Sequence, residues 1–361
     1  MKPVVFFTLL FLSISYIGFN LLNAEETGVG LKDLQRKSDN PVELGHVNWL
    51  RNFDEAKAKA LKENKPILVF FQEVPGCSTA SGYGKRVMTH PLIIEAVETL
   101  FVPVAIYNNV GGHDREVLNS FKEPTWNNPV VRIITPEGRQ LSPRLNGDYT
   151  RLGLVNSMVT ALKNNNDQVP KYLEILQMEL SADSSKKDTA VFSMYCFWTG
   201  EAGLGNIDGV ISTKPGFMGG REVVSVEYNK DIISYEELVS TARKKSVSKT
   251  VFVKNSSERD TASEILGSRS VLDAGAFRSD SEPKYYMSRT VYRYVPMMQL
   301  QASLVNSAIG NRTSPDKYLS PRQLEILSVV RKHPDLNWKS KIGSNEFTSS
   351  WNEAVRTANR G

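Results

Sequence analysis

Cysteine and histidine are scarce here, two and four residues among 361. His46, His90, His113 and His333 stand far apart, with no ligand-like spacing among themselves or with Cys77 and Cys196, so the sequence calls for no metal and no cofactor. One-sided charge is lacking too. The net charge is +5, and no Lys/Arg run is long enough to line a nucleic-acid groove, which makes nucleic acid a poor partner. Past residue 24 no apolar stretch approaches the ~20 residues of a membrane-spanning helix. Internal repeats are absent. These exclusions leave a chain of two-domain length with the apolar and charged fractions of a soluble globular protein.

The N-terminus differs from the rest. After Met1-Lys2 comes VVFFTLLFLSISYIGFNLLNA, apolar and free of charge, ending at Ala24 before two glutamates. A short positive start, an apolar centre and a small-residue end read as a secretory signal over residues 1–24, with export to the periplasm or the cell exterior. An uncleaved membrane anchor is the alternative, because the apolar run is long and Leu22 is not small. In an exported chain, two cysteines can form one structural disulfide or serve as two redox sites. Composition leaves that open. Two Asn-x-Ser/Thr triplets, at Asn255 and Asn311, matter only in a host that glycosylates.

Residues 25–45 form a polar leader. Helix-prone and strand-like runs then alternate: DEAKAKALKENK, PILVFFQEV, PLIIEAVETL, FVPVAIY, HDREVLNSF, PVVRIITPEG and RLGLVNSMVTAL. That alternation predicts an α/β unit over 46–163. A helix and a polar linker fill 164–188, and a second unit spans 189–280. In the second unit TAVFSMYC and VVSVEYN read as strands, SYEELVSTARKK as a helix, and GVISTKPGFMGG as turn-rich. Residues 281–361 read as a helical extension expected to pack around the second unit; its Ser320-Pro321-Arg322-Gln323 has capping-box form.

The stretch from Val47 through VPGCSTASGYGKRVM resembles the thioredoxin superfamily. A helix ending in Lys-Pro, an apolar strand and a Cys-bearing turn that opens a helix are that family's redox-site layout. By the same resemblance NNPVVRIITPEG makes Pro129 the cis-proline opposite the cysteine turn. A thiol at a helix N-terminus meets free N–H groups and the positive end of the helix dipole, both of which favour the attacking thiolate. The family's C-x-x-C has become Cys77-Ser78-Thr79-Ala80, so this unit cannot act alone as a dithiol reductant.

The blocks YCFWTGE, GVISTKPGFMGG and EVVSVEYNKDIISYEEL resemble, in order, methionine sulfoxide reductase A. The resemblance implies a ferredoxin-like α+β fold and peptide-methionine (S)-S-oxide reductase chemistry. Cys196 matches the nucleophile that takes the sulfoxide oxygen as a sulfenic acid. Phe197 and Trp198 match the aromatic wall against the substrate methyl, Phe217 lines the same pocket, and Glu222 matches the acid that serves the sulfoxide oxygen. There are departures. Tyr195 and Thr199 stand where the family has glycine, GFMGG runs straight into REVV without the family's substrate-facing tyrosine segment, and KKSVS replaces its His-Asp-Pro.

The two half-sites complement each other. Cys196 has no second cysteine in its own unit, and Cys77 is the one other thiol in the chain. The expected partners are oxidised, methionine-sulfoxide-bearing proteins or peptides and an external thiol reductant, with Cys77 condensing onto a Cys196 sulfenic acid. Two alternatives stay open: a non-catalytic methionine- or partner-binding module with a degenerate site, and a thiol–disulfide exchange protein.

Overall fold

The computed structural model describes residues 39–126, 129–182, 186–344 and 346–360. The signal segment 1–24 and the leader up to residue 38 lie outside the described residues.

The first unit is built on Ile67–Gln72 (β1), six consecutive buried residues flanked by helix α1 (Phe53–Glu63) and helix α2 (Ser78–Arg86). An unbroken apolar run buried on both faces is what a central strand requires. Helix α3 (Pro91–Leu100), strand β2 (Val102–Tyr107), helix α4 (His113–Ser120), strands β3 (Val130–Ile134) and β4 (Leu145–Asn146), and helices α5 (Arg151–Asn164) and α6 (Lys171–Ser181) follow. The sheet order is β2-β1-β3-β4, with β1 parallel to β2 and antiparallel to β3. This is the thioredoxin-like arrangement.

The second unit comprises β5 (Lys187–Ser193), α7 (Phe197–Leu204), β6 (Val210–Met218), β7 (Arg221–Asn229), α8 (Tyr235–Lys244) and β8 (Thr250–Val253). Strands β6-β7-β5-β8 lie in that order and pair antiparallel, which is the ferredoxin-like βαββαβ pattern. After α9 (Ser256–Leu266), strand β9 (Val271–Asp273) extends the β8 edge and β10 (Arg278–Ser279) the β6 edge. The segment read as turn-rich is therefore strand β6. Its Pro215 is tolerated because its carbonyl accepts from Asp280 N–H, so the missing proline donor faces the two-residue edge strand β10. The β6–β7 turn is Gly219-Gly220 with φ of 56° and 74°, the doubly positive pair of a tight two-residue hairpin.

The C-terminal segment holds α10 (Tyr285–Ser288), α11 (Gln299–Gly310), α12 (Pro321–Lys332) and α13 (Phe347–Ala358). It does not stay with the second unit, as its position in the chain led one to expect. Ile326, Val330, Trp351, Ala354 and Val355 belong to the same buried core as Leu92, Ile93 and Leu154 of the first unit. Arg322 joins them: its backbone N–H donates to Glu95 at 2.9 Å and its side chain pairs with Glu98. Meanwhile α11 contacts α7 and β6 of the second unit, and Glu179 of α6 accepts from the first N–H groups of α11. Ile326 and Val330 of α12 thus join the first core, Leu327 joins Met287, Val295, Val305 and Leu319 in a small cluster of the segment's own, and the segment touches both units.

Candidate functional site

Cys77 is the N-cap of α2, exposed and free. The chain reaches it from β1 through a cis Val74–Pro75 peptide, a loop braced by Asn109, which accepts from Val74 N–H and donates to its carbonyl. The surroundings are not purely electropositive. Glu43 accepts from Gly76 N–H at 2.9 Å and Glu73 from Cys77 N–H at 3.3 Å, so two carboxylates stand beside the cysteine turn. Ala80 is buried, with its carbonyl bonded by Gln72. Pro129 stands just before β3, but its peptide bond to residue 128 lies outside the described residues. On the approach to that loop, burial alone would raise the Glu123 carboxyl, but bonds from Arg144 and Arg132 outweigh it and hold Glu123 below the ordinary range. Trp126 beside the loop is 79% exposed.

Cys196 is likewise an N-cap, of α7, partly exposed and free. Glu222 comes to it across the hairpin. Its Oε2 accepts from Phe197 N–H at 2.9 Å, so the carboxyl sits on the first turn of the helix that Cys196 opens. Opposite Glu222 in the β6–β7 register is Phe217, whose ring meets Phe197 edge-on at 5.4 Å and carries Arg278 on its face. Phe197 is buried and lies 5.7 Å from Trp198. Cys196, Phe197, Trp198, Phe217 and Glu222 therefore converge at one point. Cys77 does not join them: it belongs to the first unit, and both thiols are free.

The sequence reading missed several neighbours. Tyr285 stacks flat on Trp198, centroids 3.8 Å apart and planes 9° from parallel, and Tyr286 shares a hydroxyl contact of 3.2 Å with Thr199. Beneath them Glu201 of α7 is fully buried and pairs with Lys284 at 2.9 Å; Lys284 also donates to both oxygens of Thr213. A glutamate inside the apolar run FWTGEAGL was the one available signal, and it names no partner.

Two kinds of known protein are similar to the chain. Residues 48–136 match the thioredoxin-like family. Curated relatives named peptide methionine sulfoxide reductase MsrA match short stretches. That of Methanococcus maripaludis strain C7 is 41% identical over 69 residues, covering 14% of this chain and 44% of the relative. MsrA 1 of Nostoc sp. PCC 7120 is 29% identical over 82 residues, covering 18% of this chain and 50% of the relative. The chain thus spans about half the length of these relatives or less. A solved chain described as DsbH oxidoreductase aligns at 18% identity over 36% of this chain and 92% of that one, with a TM-score of 0.29. The chain thus carries a thioredoxin-like match over residues 48–136 and a short, partial similarity to MsrA.

Proposed function

We propose that the protein is an exported thiol oxidoreductase that reduces methionine-sulfoxide-type sulfoxides at Cys196. The observation that carries this reading is the Glu222–Phe197 N–H bond, which brings the acid, the aromatic wall and the nucleophile, drawn from distant sequence positions, to one helix N-terminus. The Cys196 sulfur attacks the sulfoxide sulfur, and Glu222 serves the departing oxygen with a proton. Thioether is released and Cys196 keeps the oxygen as a sulfenic acid. The Cys77 thiol then condenses with it, forming the Cys77–Cys196 disulfide and releasing water, and an external dithiol restores both thiols while being oxidised itself. Phe197 and Phe217 supply the apolar surface for the S–CH₃ group.

The test is reduction of a methionine-sulfoxide peptide with dithiothreitol. The wild type turns over and Cys196→Ser does not. Absence of turnover in both would leave the partner-binding module, a reading favoured by the coverage of Trp198 by Tyr285.

A further inference from the structure

The C-terminal segment enters the Cys196 site through one short strap. Asp280 N–H bonds Pro215 at its start, and Met287 N–H bonds Asn306 at its end. At its centre Lys284 adopts a left-handed backbone with φ of 55°, a conformation side-chain-bearing residues rarely take. Two bonds to one carboxylate hold it there: both the Lys284 N–H and its ammonium donate to Glu201, one turn inside the helix that Cys196 caps. The next residue is Tyr285. Its inner face lies on Trp198 at 3.8 Å, and its outer face carries Arg289, which is clamped by Glu282. Trp198 Nε1 is buried without a hydrogen-bond partner among the described residues, so the indole is held by stacking rather than by a polar tether.

Resting on the reading of Cys196 as a sulfoxide site, we infer that Tyr285 is a positioning residue of that site: it acts through Trp198, fixing the indole as the substrate-facing wall, with the Glu201–Lys284 pair as its anchor. The fold closes the pocket from the C-terminal segment, where the MsrA-like block lacks its own tyrosine segment. An offset aromatic stack contributes about as much as one tenfold step in affinity.

The experiment uses the full chain. Affinity for a short peptide carrying one methionine sulfoxide is measured in the Cys196→Ser background, with and without Tyr285→Ala or Tyr285→Phe. Turnover is measured separately with Cys196 intact. Trp198 emission is isolated by subtracting a Trp198→Phe spectrum. Tyr285→Ala should weaken peptide binding about tenfold and shift Trp198 emission to the red, while Tyr285→Phe, which keeps the ring, behaves as the parent. Unchanged affinity or unchanged emission in Tyr285→Ala overturns the inference. Peptide binding without turnover in the wild type overturns the reductase reading alone. No binding of the peptide by the parent overturns both.

Discussion

Glu95 offers a quantitative test of how the C-terminal segment is attached. Its carboxyl is buried in α3; one oxygen accepts from Arg322 N–H, and the other has no partner among the described residues. Burial pushes the group from 4.5 up to about 7, against the opposing pull of the Arg322 N–H, the Ser320 hydroxyl and the Arg322 charge. A carboxyl raised in the fold contributes stability that is complete below its unfolded value. That contribution is lost as pH rises from 4.5 through about 7. Applying linkage to those two values, Glu95 costs about 1 kcal/mol at pH 5 and about 3 kcal/mol at pH 8. Glu95→Gln keeps an acceptor for Arg322 and removes the ionisation. Its stability relative to wild type should therefore rise by about 2.5 kcal/mol between pH 5 and pH 8, read by urea denaturation at each pH. Neighbouring His90 works in the other direction. Burial first, then the Arg151 charge, lowers it to about 3, so its contribution is complete above 6.5 and lost as pH falls below that. His90 is common to both proteins and cancels in the difference. Parallel pH profiles for Glu95→Gln and wild type would refute the reasoning.

Three further outcomes are expected. Arg322→Ala leaves Glu98 and Glu95 buried without their cation, and should cost about 3–5 kcal/mol, seen as faster proteolytic release of the segment from Pro321 onward. Lys284→Met should destabilise the second unit by a similar amount because Glu201 is fully buried, and Lys284→Met/Glu201→Gln should recover part of the loss in thermal melts. Glu222→Gln should lower sulfoxide turnover about 10²–10⁴-fold, while iodoacetamide still labels Cys196.

The strand-helix alternation of the first unit was legible because its buried runs are long and local: PILVFFQEV is β1 and PLIIEAVETL is α3. The capping box at Ser320 was legible for the same reason, since its two partners lie three residues apart. Strand β6 was not, because Pro215 and four glycines in GVISTKPGFMGG carry turn chemistry and the edge strand that excuses the proline lies some sixty residues later. The Cys196 wall was readable in one block, but Lys284 and Tyr285 reach it across about 85 residues. No local pattern encodes such a contact. The attachment of α12 to the first unit depends on the Arg322–Glu98 pair, whose partners are 224 residues apart, so position in the chain pointed to the wrong neighbour.

That attachment bears on the proposed relay. Two units on a free linker would meet by diffusion, at an effective concentration set by linker length. Here α11 lies on the second unit while α12 and α13 complete the core of the first, so the units are joined by packing as well as by residues 164–188. Condensation requires the sulfurs to close to about 2.05 Å, and both thiols are free as the units stand. If the disulfide forms within one chain, we predict that the joint between the units gates it. Loosening the joint should then accelerate it: after one equivalent of hydrogen peroxide, Arg322→Ala should form the Cys77–Cys196 bond faster than wild type, at a rate independent of protein concentration. Non-reducing peptide mapping by mass spectrometry follows the bond directly. Equal rates in the two proteins would show that the joint does not gate the approach. A rate proportional to concentration would assign the bond to two copies of the chain. A stable Cys196 sulfenate with Cys77 still free would remove Cys77 from the mechanism.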